Sequence, residues 1–139
     1  MAAPVLLDTG PLVALLDRND RWHSWASTQL EYLTEPMITC EAVLSESAFL
    51  TAPFDPGNQR LFALLKTEVI CVDFSLGSEL GYLASLLNKY RNLPMSLADA
   101  CLVRMVERHQ ASRVFTIDSD FKIYRKNNRH VIPLIYPES

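Results

Sequence analysis

Four acids in this 139-residue sequence, Asp8, Glu46, Asp99 and Asp118, have the types and placement for metal-assisted hydrolysis, and Asp120 stands beside the last. Each is expected where a strand ends or a helix begins, and those places share one edge of an open α/β sheet. Carboxylates gathered there repel: two charges 4 Å apart cost about 4 kcal/mol at an effective dielectric of 20. Protons or cations must offset that cost. An all-oxygen set without His or Cys suits Mg²⁺ or Mn²⁺ rather than zinc. Such a cation polarises phosphoryl oxygens and lowers the pKa of bound water, so the chemistry is hydrolysis of a phosphate ester or phosphodiester.

The elements that must position these acids follow from apolar runs and breaks. Val5-Leu6-Leu7 ends in Asp8, and Gly10-Pro11 then turns into the short helix carrying Leu12, Val13, Leu15 and Leu16. Pro11 is expected at the first helical position, where its missing N–H has no helical partner. Met37-Ile38-Thr39 predicts a strand, and residues 41–51 a helix on which Ala42, Val43, Phe49 and Leu50 share the face of Glu46. Glu46 therefore reads as a carboxylate within an apolar stripe, either functional or paired with an arginine, while Glu41 meets the helix dipole in the first turn.

Further along, 59–66 predicts a helix, 69–72 a buried strand, and 78–90 a helix with Leu80, Leu83, Leu87 and Tyr90 on one face. Ser96 and Asp99 match a capping box. Asp99 also heads the stripe of Leu102, Val103 and Val106, so capping and ligation both remain open for it. Residues 114–117 predict a strand ending at Asp118-Ser119-Asp120, where a plain turn is the alternative. A last strand over 131–135 is expected at an edge because Pro133 cannot donate to a ladder. This alternation implies a parallel sheet with helices on both faces.

The length predicts one domain over residues 1–139, with ordinary globular values of 49% hydrophobic and 21% charged residues. No basic leader with an apolar core and no run of membrane length is evident, so a cytoplasmic protein with no membrane partner is expected. Cys40, Cys71 and Cys101 lie apart in apolar contexts and read as small core residues in a reducing compartment. Trp22 and Trp25 read as packing, and His23, His109 and His130 as surface or helix-end residues. The net charge is −3, yet Arg104, Arg108, Arg113, Lys122, Arg125, Lys126 and Arg129 crowd the last third. Beside an acidic site they suit a polyanion, although charge alone does not separate this from a solvated surface.

Taken together, Asp8-Thr9-Gly10, Glu46 in the helix after Thr39, Ser96-Leu97-Ala98-Asp99-Ala100 and Thr116-Ile117-Asp118-Ser119-Asp120-Phe121 resemble the four acidic motifs of PIN domains. The pattern runs in order over nearly the whole chain and is most similar to the small VapC-type toxins. The resemblance implies an α/β/α sandwich with a mainly parallel five-stranded sheet, Mg²⁺ or Mn²⁺, and endonucleolytic cleavage of RNA. It carries Asp8, Glu46, Asp99 and Asp118 onto the acidic quartet, Asp120 onto a less uniform fifth acid, and Thr9 and Thr116 onto hydroxyls that orient carboxylates. It further implies a homodimer and a cognate antitoxin. An RNA-processing nuclease that is not a toxin, or an inactive PIN fold that only binds, are the alternatives. A haloacid-dehalogenase-type phosphatase would need an acid where Gly10 stands. A phospho-receiver would need a strand-end lysine and would leave Glu46 and Asp99 unexplained.

Overall fold

Val5–Leu7 (β1) is the central strand of the computed structural model, which describes residues 3–54 and 56–138. Residues 1, 2, 55 and 139 of the expected single domain lie outside the described residues. All three β1 side chains are buried, as expected for a strand covered on both faces. It pairs in parallel with β2 (Met37–Thr39) on one side and β4 (Arg113–Phe115) on the other. β3 (Ile70–Val72) and β7 (Leu134–Ile135) complete a five-stranded parallel sheet in the order β3-β2-β1-β4-β7.

Two groups of helices cover this sheet. In one, α1 (Thr9–Leu16) packs against α2 (His23–Tyr32), α3 (Glu41–Thr51) and α4 (Gly57–Lys66). In the other, α5 (Leu80–Lys89) packs on α6 (Leu97–Arg108), which lies against β1 and β4 and also touches α3. This is the expected α/β architecture, and α6 carries eight buried residues, seven of them in the hydrophobic core. Among the described residues no helix is long and apolar enough to cross a membrane.

Several local expectations change. Pro11 occupies the third helical position, not the first, because Thr9 and Gly10 already belong to α1. The consequence is the same, since the third N–H also lacks a helical partner. β3 is an edge strand with Val72 exposed, not a buried one. On α5 the core face is Leu83, Leu86 and Tyr90, while Leu80 is exposed. The predicted strand over 131–135 is broken at Ile132-Pro133. Its first part, β6 (His130–Val131), instead pairs antiparallel with β5 (Arg125–Lys126). That hairpin turns on Asn127 and Asn128 at φ 52° and 65°, which asparagine tolerates better than most residues.

Gly10 is required by a close approach rather than by backbone freedom. A Cβ there would stand 2.5 Å from Ile117 Cγ1 and 2.9 Å from its Cδ1. Gly10→Ala is therefore expected to push α1 from the segment leading into Asp118 and to cost about 1–3 kcal/mol, as overpacking does. Urea unfolding of the variant measures this, and an unchanged midpoint would contradict it.

Candidate active site

The register of β1 and β4 builds the centre of the site. Leu7 lies opposite Phe115, and the Asp8 backbone N–H donates to the Phe115 carbonyl at 3.0 Å. Continuing both chains by one residue brings Asp8 beside Thr116. The Thr116 hydroxyl donates to Asp8 Oδ2 at 2.7 Å, while Asp8 Oδ1 accepts from the Thr9 backbone N–H at 2.8 Å. Asp8 is thus both the N-cap of α1 and a carboxylate fixed by two donors. Thr116 Oγ1 also accepts from the Asp118 backbone N–H at 2.9 Å, so one buried hydroxyl spans both acids.

Asp99 enters from the first turn of α6, with both capping-box bonds formed: its N–H donates to Ser96 Oγ at 3.0 Å, and Ser96 N–H donates to Asp99 Oδ2 at 3.4 Å. The same Oδ2 accepts from the Tyr124 hydroxyl at 3.0 Å. The Tyr124 ring is wholly buried and packs edge-on against Tyr90 and Phe121. Capping uses only Oδ2, and among the described residues no hydrogen bond engages Oδ1 of Asp99. Asp118 Oδ1 accepts from the Asp120 N–H at 2.9 Å, the turn bond foreseen as the plain alternative.

Glu46 does not lie in a buried stripe. The core face of α3 is Val43, Ser47 and Thr51, while Glu46 is exposed and its helical neighbour Phe49 is 79% exposed. Helix α3 packs against α1, α4 and α6, and its larger apolar residues Phe49 and Leu50 are left exposed. Glu46 Oε2 accepts a long 3.4 Å bond from Thr9 Oγ1, and no arginine pairs with it among the described residues.

Asp8, Glu46, Asp99 and Asp118 line one open cavity of about 400 Å³ at the C-terminal edge of the sheet. Asp120 does not line it, and Asp20 does. Asp20 Oδ1 accepts from the Trp22 N–H at 2.8 Å in the turn before α2. Neither it nor Tyr124 carried a periodic or motif signal that would have singled it out. No Lys, Arg or His is among the described residues lining the cavity. Burial, resisted by the bonds from Thr116 and Thr9, pushes the Asp8 carboxyl up to about 6, and the Asp99 and Asp118 charges add to the rise. Burial likewise raises the Asp99 carboxyl, against the opposing bonds from Tyr124 and Ser96.

The cavity thus has a surplus of negative charge, desolvated at Asp8 and without a basic partner among the described lining residues. That suits a hard cation. Among the described residues, however, no three His, Cys, Asp or Glu side chains form a ready-made cage. The donor set fits Mg²⁺ or Mn²⁺ in the hydrated form that Mg²⁺ favours, with one or two direct carboxylates and several waters. A closed zinc-type site would need converging ligands that are not there.

The basic residues do not form one track. Glu79 accepts from Arg104 Nε and from Arg108 Nη1, each at 2.6 Å, and these two bonds, that of Arg104 first, hold the Glu79 carboxyl below its ordinary range. Arg113 opens β4, at the edge away from the cavity. Arg125 Nη1 donates to the carbonyls of Lys122, Ile123 and Tyr124. Lys122 sits over the Tyr136 ring at 4.1 Å.

A family model described as PIN domain matches residues 5–127. Comparison with curated proteins gave no match. Among solved structures, the chain is similar to VapC20 of Mycobacterium tuberculosis, described as a Sarcin-Ricin loop cleaving toxin. The TM-score is 0.71 at 19% identity, covering 93% of this chain and 99% of that one.

Proposed function

Because the chain belongs to the PIN domain family, we propose that residues 1–139 form a single nuclease domain that cuts RNA internally with Mg²⁺ or Mn²⁺. The observation that carries this reading is the group of Asp8, Glu46, Asp99 and Asp118 around one cavity with no basic partner among the described lining residues. Family membership and the likeness to VapC20 support a toxin of a toxin–antitoxin pair, with an antitoxin and a second copy of the chain as partners and the cytoplasm as its place.

In this reading Asp8, Asp99 and Asp118 hold the cation and Glu46 contributes from the rim. Asp120 orders the Asp118 turn through its backbone N–H rather than by its carboxylate. A bound cation supplies charge stabilisation for the phosphoryl oxygens and a water of lowered pKa. The protein's own part is to keep the carboxylates aimed before substrate arrives. Thr116 fixes Asp8, Thr9 leans toward Glu46, and Ser96 and Tyr124 fix Asp99. Such outer hydrogen bonds typically contribute 10–100-fold to metal affinity or activity.

An RNA cleavage assay tests the reading. The chain is expected to produce internal cuts with Mg²⁺ or Mn²⁺, to stop in EDTA, and to lose activity on Asp99→Asn. Cleavage that survives both EDTA and the substitution would sink it. Growth arrest on expression, relieved by a co-expressed neighbouring small protein, tests the toxin role separately.

A further inference from the structure

Two stretches of the chain carry cations and no acid. Residues 80–98 hold Lys89 and Arg91, and residues 121–137 hold Lys122, Arg125, Lys126 and Arg129. The fold joins them. At the end of α5, Lys89 Nζ donates to Asn128 Oδ1 in the turn of the β5–β6 hairpin at 2.9 Å, and the Arg125 backbone N–H donates to the Tyr90 hydroxyl at 2.9 Å. The same turn is tied to α6, where Glu107 Oε2 accepts from the Asn127 N–H at 2.6 Å. Lys89, Asn127 and Asn128 line an open cavity of about 480 Å³ together with Tyr82 and Ser85 of α5.

The charge on this surface is not used by the fold. Every ion pair among the described residues joins Arg104 or Arg108 to Glu79 or Glu107. Lys89, Arg91, Lys126 and Arg129 have no acid partner among those residues; Lys126 is half-buried and the other three are exposed. The patch adjoins the acidic cavity by two routes. Tyr124, whose hydroxyl donates to Asp99, directly precedes Arg125. Pro94, which lines the acidic cavity, is five residues beyond Lys89, so at most about 18 Å of chain separates them.

We propose that the β5–β6 hairpin and the end of α5 form a phosphate-binding arm for RNA, in which Lys89, Arg91, Lys126 and Arg129 hold the strand to one side of the cut. This rests on the nuclease reading given above. Four carboxylates and a net charge of −3 repel a polyanion, and a cation in the cavity offsets that only locally. The attraction that brings RNA to the site must therefore come from cations outside it, and these four stand beside it. Contacts of this kind position a strand without reading its sequence. An acidic protein segment would meet the same charge but would gain nothing from the neighbouring carboxylates, whereas an RNA strand must lie across them to be cut.

Anisotropy of a 5′-fluorescein single-stranded RNA of mixed sequence, measured in EDTA, tests the arm without any need for cleavage. Lys126→Gln/Arg129→Gln is compared with Lys66→Gln/Arg113→Gln, which removes the same charge from the end of α4 and the start of β4. The hairpin pair is expected to bind roughly ten-fold more weakly, and its plot of log affinity against log salt to flatten by about 1.4, or about 0.7 for each lost phosphate contact. The control pair should stay near the parent in both. If the Lys126 change unsettles the hairpin, Arg129→Gln alone, at an exposed position, should give about half of the slope change. In the cleavage assay the hairpin pair should raise KM and leave kcat little changed. Equal weakening by both pairs, or by neither, would overturn the proposal. So would a polyglutamate peptide that needs the hairpin to bind when RNA does not. Hairpin-dependent RNA binding without cleavage in any metal would support the arm and sink the nuclease reading. Cleavage with an unaltered KM in the hairpin pair would do the reverse.

Discussion

Asp8→Asn is expected to abolish RNA cleavage and, in the same chain, to stabilise the metal-free protein at neutral pH. The two effects share one cause. Burial lifts the Asp8 carboxyl from its ordinary 3.8 to about 6. An acid whose folded pKa is raised binds more protons folded than unfolded, so it costs no stability below about pH 4. Its cost grows as pH rises from about 4 to 6 and stays at its full value above 6. A shift of that size corresponds to roughly 3 kcal/mol. Asparagine keeps an oxygen to cap Thr9 and removes the charge, so its urea midpoint in EDTA is expected to exceed the parent's at pH 7.5 but not at pH 4. It also removes the charge that holds the cation, and losing several kcal/mol of transition-state stabilisation is on the order of a 10³-fold loss in rate. A variant that is less stable than the parent at pH 7.5, or that cuts RNA at close to the parent's rate, contradicts the argument.

The parts legible in the sequence were those where backbone and side chain carry the same signal. Val5–Leu7 is apolar at every position because it is central in a parallel sheet, and the Ser96–Asp99 spacing fixes a helix start wherever it occurs. From those two, the placement of Asp8 and Asp99 at one sheet edge followed from topology. Glu46 was reached by a mistaken route. Phe49 and Leu50 made its face look like core, yet the face of α3 that its neighbouring helices bury is Val43, Ser47 and Thr51. Apolar periodicity reports which residues prefer to leave water, not which of them a given helix pair has room to cover. Tyr124 and Asp20 reach the site through folding of irregular segments, whose positions depend on tertiary contacts distant in sequence.

The basic C-terminal third shows the same limit for charge. In sequence, Arg104, Arg108 and Arg125 counted toward a polyanion track. In the structure the first two are bound to Glu79 and the third to backbone carbonyls, so their charge serves the fold. Lys122, over the Tyr136 ring, belongs to the turn Ser119–Lys122 that follows Asp118 directly, and Tyr136 follows the end of β7.

Thr116→Val is the second substitution with a large expected effect, because it strips two acids of one shared partner. The valine side chain nearly matches threonine in volume, so packing in the fully buried position is kept while the hydroxyl is lost. Asp8 Oδ2 then loses its 2.7 Å donor, and the Asp118 N–H loses its 2.9 Å acceptor. A hydrogen bond to a charged group contributes about 1.5–3 kcal/mol, more than a neutral one. The Thr116 bond holds the Asp8 pKa down, so its removal raises that pKa further. The stability cost is therefore expected to be larger at pH 7.5, where Asp8 is ionised in the parent, than at pH 5, where it is mostly protonated. In an Asp8→Asn background the cost at pH 7.5 should shrink, because the charged partner is gone. Thr116→Ser keeps the hydroxyl and should retain most activity, whereas Thr116→Val is expected to lose roughly 10–100-fold. Urea unfolding at the two pH values and the RNA cleavage assay check both halves. Equal costs at pH 5 and 7.5 would mean that the Thr116 hydroxyl does not act on the Asp8 charge and serves only the Asp118 N–H.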